Sequence, residues 1–456
     1  MAKLFGTDGV RGKAGEYPLD APTIRRLGAA LVRALRHDDR PSDSAQGRPL
    51  KFLAGRDTRE SGSWIERELA QGIQSQGASL TSAGIIPTPA IAYLTPRMGF
   101  TAGVVISASH NPFEDNGIKV FSGAGEKFTE ALERQVEAIV ADQSWQVPAN
   151  TAPAIEQSDY RAEYANHLKG ILPDADRARG MRIAVDCANG ATTTVAPRLL
   201  QELGFDARCI GCEPDGRNIN LRVGSTAPEL LATTVVSGGY DLGIAYDGDG
   251  DRAILVDRRG HIVDGDAMML MCAKQMKAEG RLKGNAVVAT VMSNIGLEIA
   301  LRDAGIEMVR CAVGDKYVME EMQRRGLSLG GEQSGHVIFA EYLFTGDGLA
   351  TSLNVLRTMA TTRRTLQDLA SELTTYPQVL MNLRVQQKVD LKTVPEVAAV
   401  IADIESRLAG HGRLLVRYSG TEPLLRVMLE GKDEAAIRRW GQQIVDAVTQ
   451  HVRAAV

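Results

Sequence analysis

The chain has 456 residues, 44% hydrophobic and 24% charged, which is ordinary globular usage and excludes wholesale disorder. At about 150 residues per domain, this length divides into roughly three domains and accommodates four. With 52 basic against 56 acidic residues the net charge is −4, so no broad positive field exists to hold nucleic acid or an anionic membrane, and any anion site must be local.

The amino terminus has no secretory apolar stretch, and apolar runs such as Ala286–Met292 fall far short of a bilayer span. A cytoplasmic protein without a membrane partner is the expectation. The polar segment His37–Pro49 lacks an apolar period and reads as a surface loop. Next, Lys51–Ala54 is an apolar run, Gly55–Arg59 a polar turn, Ile65, Leu69 and Ile73 share one helical face, and a return strand falls near Leu80. This is the grammar of a βαβ unit.

Gly103–Ile106 has the pattern of a buried strand and delivers Ser107-Ala108-Ser109-His110-Asn111-Pro112 into a loop. A serine in a turn is ordinarily only a hydrogen-bonding loop residue. A hydroxyl so placed can also hold a phosphoryl group covalently and return it, dividing one hard transfer into two. Lys119, in Asn116-Gly117-Ile118-Lys119, stands where an amine can assist proton transfer or stabilise a moving phosphoryl group.

A second unit begins at Arg182–Asp186, turns at Asn189-Gly190, places Val195, Leu199 and Leu203 on a helix and returns near Phe205. Cys209 and Cys212 form a lone CxxC, without a second pair or a histidine at ligand spacing. It is read as structural, and five cysteines overall make no disulfide framework. Between the apolar runs Leu242–Tyr246 and Ala253–Val256 lies Asp247-Gly248-Asp249-Gly250-Asp251-Arg252. Carboxylates at i, i+2 and i+4 on a glycine turn converge as hard oxygen ligands for Mg²⁺ or Ca²⁺. An EF-hand is excluded, because its sixth and twelfth positions would be Arg252 and Arg258. Three carboxylates and one divalent ion leave a net −1, so a phosphoryl oxygen is a suitable further ligand.

A third unit starts at Ala286–Thr290, turns at Ser293-Asn294, carries Ile295 and Ile299 on its helix and returns at Ile306–Val309. Gly331-Glu332-Gln333-Ser334-Gly335-His336 is a glycine-bracketed polar turn after a strand-like run. Glu332 and Ser334 suit sugar hydroxyls, and His336 suits proton exchange near neutrality, though a structural histidine is as good a reading. After Pro377 the pattern becomes strand, helix over Val394–Leu408, two strands flanking Ser419-Gly420, and a last amphipathic helix. There Arg417, Ser419, Gly420 and Thr421, with Arg426 on the next strand, combine guanidinium forks, hydroxyls and turn amides fit for phosphate. Neither a Walker A loop nor a G-x-G-x-x-G helix opening occurs, so the phosphoryl donor is expected to be carried internally.

Taken together with Gly6-Thr7-Asp8-Gly9-Val10-Arg11-Gly12, these ordered motifs closely resemble the α-D-phosphohexomutase family across the whole chain. The opening Lys3–Gly12 and Gly331–His336 point, within it, to members acting on a hexosamine phosphate; hexose-phosphate members are the nearest rivals. A phosphatase using Asp247 as nucleophile and a non-enzymatic sugar-phosphate regulator stand further off. The resemblance implies three α/β domains of related topology and a smaller α+β domain around a central cleft, divided as 1–158, 159–257, 258–374 and 375–456. It also implies phosphorylated Ser109 as donor, one Mg²⁺ on Asp247, Asp249 and Asp251 with Ser109, and Arg11 and Arg252 steadying the phosphoserine. Glu332 and Ser334 would bind the sugar, and Arg417, Ser419, Gly420, Thr421 and Arg426 the distal phosphate. The family usually has arginine where this chain has Lys316, which puts a phosphate contact there in doubt. A small sugar phosphate is the expected partner, and a homodimer is an open option.

Overall fold

Each of the three βαβ patterns forms a sheet with the same connectivity. In a computed structural model describing residues 4–6, 8–37, 49–149, 153–174, 179–419 and 423–452, strand Lys51–Arg56 pairs in parallel with Ser79–Ile85 on one side and Ala102–Ile106 on the other. Asp115–Ser122 then adds antiparallel to Ala102–Ile106. In the second sheet Arg182–Asp186 lies parallel to Asp206–Ile210 and Leu242–Tyr246, and Ala253–Asp257 closes antiparallel on the latter. In the third, Ala286–Thr290 lies parallel to Glu307–Cys311 and Leu329–Gly331, with Val337–Phe339 antiparallel. The central strands are buried along most of their length, as parallel strands covered on both faces must be.

The first-unit helix runs Gly62–Ser75 and buries Ile65, Leu69 and Ile73 against the sheet, together with Leu27 and Leu31 of helix Ala21–His37. The second-unit helix is shorter than its apolar spacing suggests. Val195 and Leu203 cap Ala196–Glu202 instead of lying inside it, because Pro197 opens the helix and a 3₁₀ turn, Ala191–Thr194, precedes it. Helix Ala21–His37 also takes in His37; the rest of the proposed polar loop, 38–48, lies outside the described residues.

The motif Gly6–Gly12 supplies an edge strand that periodicity did not reveal. Val10–Lys13 pairs antiparallel with Asp115–Ser122, in the register Arg11 opposite Gly117.

The chain divides into two compact units, 1–292 with 306–371, and 293–305 with 372–456. The second holds an antiparallel sheet in which Leu424–Gly431 is central between Gln378–Arg384 and Gly412–Tyr418. Helices Pro395–Leu408 and Glu434–His451 cover it, and Val397, Ile404, Leu425, Val427 and Ile444 form its core. Helix Ile295–Asp303 also belongs to this unit: Ile295 N–H donates to Glu430 Oε2 at 3.0 Å, and Asn294 exchanges two hydrogen bonds with the backbone of Tyr376. No helix among the described residues is long and apolar enough to cross a membrane. The five cysteines are free thiols.

Candidate active site

The shared topology puts the three motif loops of the larger unit in equivalent places. Ser107–Pro112, Asp247–Arg252 and Glu332–His336 each join the third strand of their sheet to its antiparallel fourth.

Ser109 has φ of 54°, a left-handed conformation that serine rarely adopts. It is held there from several sides. Its N–H donates to Ser107 Oγ at 2.9 Å, and its carbonyl accepts from Arg59 Nη2 and Asn220 Nδ2, each at 2.9 Å. Its buried Oγ donates to Asp247 Oδ2 at 2.5 Å. The two loops can approach because position 248 is glycine: a Cβ there would lie 2.5 Å from the Ser109 carbonyl oxygen.

Asp247, Asp249 and Asp251 are buried, with one oxygen of each lying within 4.8 Å of the others. Asp247 Oδ1 accepts from Gly250 N and Arg252 N at 3.1 and 3.2 Å. Lys119 Nζ bonds Asp249 Oδ2 at 2.8 Å and Asp251 Oδ2 at 3.2 Å. Asp249 Oδ1 and Asp251 Oδ1 stay buried without a hydrogen-bond partner. Orphaned carboxylate oxygens are costly unless a cation takes them, and these hard, convergent donors fit a divalent ion of the Mg²⁺ kind.

Electrostatics divides the cluster. Burial, reinforced by Asp251 and Asp249, pushes the Asp247 carboxyl well above the usual range. Burial also acts to raise Asp251, but Lys119 and His336 outweigh it and hold that carboxyl well below. For Lys119 burial favours the neutral amine, yet Asp249, Asp251 and Asp8 raise its pKa well above the ordinary lysine value. The three carboxylates favour the charged amine of Lys119.

His336 is buried, its Nδ1 3.7 Å from Asp251 Oδ1 and its Nε2 3.7 Å from Asp315 Oδ2. Burial lowers its pKa, but the two carboxylates prevail and raise it. Gly346 N–H donates to Nε2 at 3.0 Å, so a single ring proton sits on Nδ1, facing Asp251. Any second proton must displace the Gly346 contact. A Cβ on Gly346 would stand 2.5 Å from the ring, so this approach too requires glycine.

Arg11, Arg252, His110, Asp315, Glu332 and His336 are among the residues lining an open cleft of about 670 Å³. Arg11 is ion-paired with Asp8, and Arg252 Nε lies 3.8 Å from Asp251 Oδ1. Glu332 Oε1 accepts from Gly314 N at 3.2 Å. Ser334 is exposed on its turn. Lys316 Nζ meets Glu133 Oε2 at 2.9 Å, both side chains largely buried, so its charge is already matched.

In the smaller unit Arg417 and Arg426 stand directly opposite on neighbouring strands. Ser419 is buried, and its carbonyl accepts from Lys388 Nζ at 2.7 Å. Gly420 and Thr421 lie outside the described residues.

Sequence reasoning passed over the groups that hold the serine loop. Arg59 and Asp57 form a fully buried ion pair with Nε–Oδ2 of 3.0 Å. Arg59 also donates to the carbonyls of Asn111 and Pro112, and Ser107 Oγ donates to Asp57 Oδ2 at 2.5 Å. Thr88 donates through its backbone and hydroxyl to Asp249, at 2.8 and 2.6 Å. The one available signal was two opposite charges at a strand-to-helix junction, Asp57 and Arg59. Nothing local marked Thr88 or Asn220.

The described geometry has clear relatives. Models of the phosphoglucomutase/phosphomannomutase family match all along the chain: α/β/α domain I at residues 2–147, domain II at 162–260, domain III at 264–376 and the C-terminal domain at 380–447. The chain is 46% identical over 454 residues to the phosphoglucosamine mutase of Syntrophotalea carbinolica, covering 99% of this chain and 98% of that one. It is 47% identical to that of Solibacter usitatus, covering 99% and 100%. Among solved structures, a phosphoglucomutase/phosphomannomutase family protein from Burkholderia thailandensis superposes with a TM-score of 0.80 at 24% identity, covering 98% of this chain and 97% of that one. The N-acetylphosphoglucosamine mutase of Aspergillus fumigatus, solved with GlcNAc-6P and magnesium, has a TM-score of 0.64 at 16% identity, covering 98% and 96%.

Proposed function

The chain belongs to the phosphoglucomutase/phosphomannomutase family, and from that premise we propose that it interconverts glucosamine 6-phosphate and glucosamine 1-phosphate through a phosphorylated Ser109. The reaction feeds amino-sugar nucleotide and cell-wall precursor synthesis. The observation that carries the reading is Ser109 Oγ, buried 2.5 Å from Asp247 beside two carboxylate oxygens without hydrogen-bond partners.

Phosphorylated Ser109 gives its phosphoryl group to the free hydroxyl of the sugar phosphate: the Oγ–P bond breaks, a sugar O–P bond forms, and the proton lost by that hydroxyl balances the one gained by the released Ser109 Oγ. The bound 1,6-bisphosphate turns round, and Ser109 Oγ takes the other phosphoryl group, releasing the isomer. Asp247, Asp249 and Asp251 with the Ser109 oxygen would hold Mg²⁺, which would supply positive charge to the transferring phosphoryl group. Lys119, Arg11 and Arg252 provide positive charge at the same place. Proton exchange is assigned to His336, whose Nδ1 lies 3.7 Å from Asp251 Oδ1. Glu332 and Ser334 are assigned to sugar hydroxyls, and Arg417 with Ser419, Gly420, Thr421 and Arg426 to the distal phosphate, Arg417 and Arg426 being directly opposite on neighbouring strands. Domain boundaries are placed at 158/159, 257/258 and 374/375.

A phosphatase with Asp247 as nucleophile is disfavoured, because one of its oxygens takes two backbone amides and the other the serine hydroxyl.

Active enzyme is expected to carry one phosphate, found by intact-mass analysis and mapped to Ser109, and to produce glucosamine 1-phosphate in a coupled assay. Full turnover by Ser109→Ala would sink the reading.

A further inference from the structure

Buried side chains of alternating charge lead away from the reacting centre. Lys119, bonded to Asp249 and Asp251, also meets Asp8 Oδ2 at 2.9 Å. Asp8 Oδ1 meets Lys127 Nζ at 2.6 Å, and Lys127 is ion-paired in turn with Asp315. Asp8 belongs to the loop before the edge strand, Lys127 to the turn before helix Glu130–Ala141, and Asp315 begins helix Asp315–Arg325 beside the third sheet.

Lys127 has no part in the chemistry assigned above. It lies one charge beyond Lys119, contacts no carboxylate of the metal turn and does not line the cleft. Its ammonium is nevertheless deeply buried, and Asp315 and Asp8 overcome burial to raise its pKa above the ordinary lysine value. A buried ammonium is kept only where its partners are fixed around it.

Those partners belong to the cleft wall. Val313, Gly314 and Asp315 line it, Gly314 N–H donates to Glu332 Oε1 at 3.2 Å, and Asp315 Oδ2 lies 3.7 Å from His336. We propose that Lys127 is a positioning residue for the sugar side of the cleft: by clamping Asp315 to Asp8 it fixes the 313–315 wall, which in turn aims the Glu332 carboxylate. This deepens the mutase reading and rests on it.

Because Lys127 is separated from the metal turn by Asp8 and Lys119, its loss should fall on sugar binding and spare the phosphoserine. In full-length enzyme, Lys127→Met is expected to raise KM for glucosamine 6-phosphate by about tenfold or more, with a smaller change in kcat. Half-saturating Mg²⁺ and the phosphate on Ser109 should match the parent, and Lys127→Arg, which keeps the charge, should recover much of the loss. The inference is overturned by a KM within about twofold of the parent, or by a shift in Mg²⁺ requirement without one in KM. If Lys127→Met does not fold, Asp315→Asn decides: it should raise KM in the same way, and an unchanged KM overturns the clamp. Where both variants fold, their effects on KM should be less than multiplicative; independent effects would separate the two residues. A parent inert on glucosamine 6-phosphate but active on another hexose phosphate would fault the substrate assignment instead, leaving the variant-to-parent ratio to be read on that sugar.

Discussion

At the scale of single residues, the site combines strain with carboxylate oxygens that lack hydrogen-bond partners. A serine at φ 54° costs on the order of 1–3 kcal/mol, and the bonds from Arg59, Asn220 and Ser107 maintain it. Glycine tolerates that conformation and alanine does not, so Ser109→Gly should unfold at higher temperature than Ser109→Ala, by about 1 kcal/mol, with both inactive. A melting comparison giving the reverse order would count against stored strain. Carboxylate oxygens without hydrogen-bond partners fall on Asp249 and Asp251. Asp249→Asn should weaken Mg²⁺ binding at least about tenfold in a calorimetric titration and reduce turnover with it. Heats indistinguishable from the parent would remove Asp249 from the ligand set. These residues were legible in the sequence because their spacing on glycine turns is local. The Asp57–Arg59 clamp was not, since its meaning depends on carbonyls some 50 residues away.

At the scale of elements, the helix Gly348–Thr362 supports the third sheet, and its cap is titratable. Asp347 accepts from Ala350 N at 2.9 Å and from Tyr164 Oη at 2.8 Å. Burial pushes its pKa up to about 6 from an ordinary value near 3.8. The folded chain thus binds this proton more tightly than the unfolded one. The resulting stability is complete below about pH 4 and is lost as pH rises through about 6, about 3 kcal/mol at most. Asp347→Asn retains a cap acceptor without the charge. Relative to it, the parent should lose stability on going from pH 4 to 6.5 in urea titrations; parallel curves would show that the carboxyl does not titrate there. Apolar periodicity located the opening strand and helix of each of the three units, but not the helix Gly348–Thr362 or the edge strand Val10–Lys13, the latter too short and polar to show a period.

At the scale of the molecule, sequence order and packing part company in one place. Helix Ile295–Asp303 follows the first strand of the third sheet, yet its capping partners lie in the C-terminal stretch: Glu430, Tyr376 and, through Ser293, Arg413. Ending the chain after Ser371 should therefore expose this helix, and its amides should exchange far faster while those of Ala102–Ile106 stay protected. Equal protection in the truncated and full chains would assign the helix to the larger unit. The sequence by itself determined the class of fold, the serine, the aspartate turn and the family, because strand–turn–helix periodicity and glycine-spaced carboxylates are properties of short stretches. Tertiary structure alone decided that Lys119 is buried among Asp8, Asp249 and Asp251, that Lys316 answers Glu133 and that Lys127 joins Asp8 to Asp315. Each depends on which charges are buried side by side, and burial brings together residues that no local pattern connects.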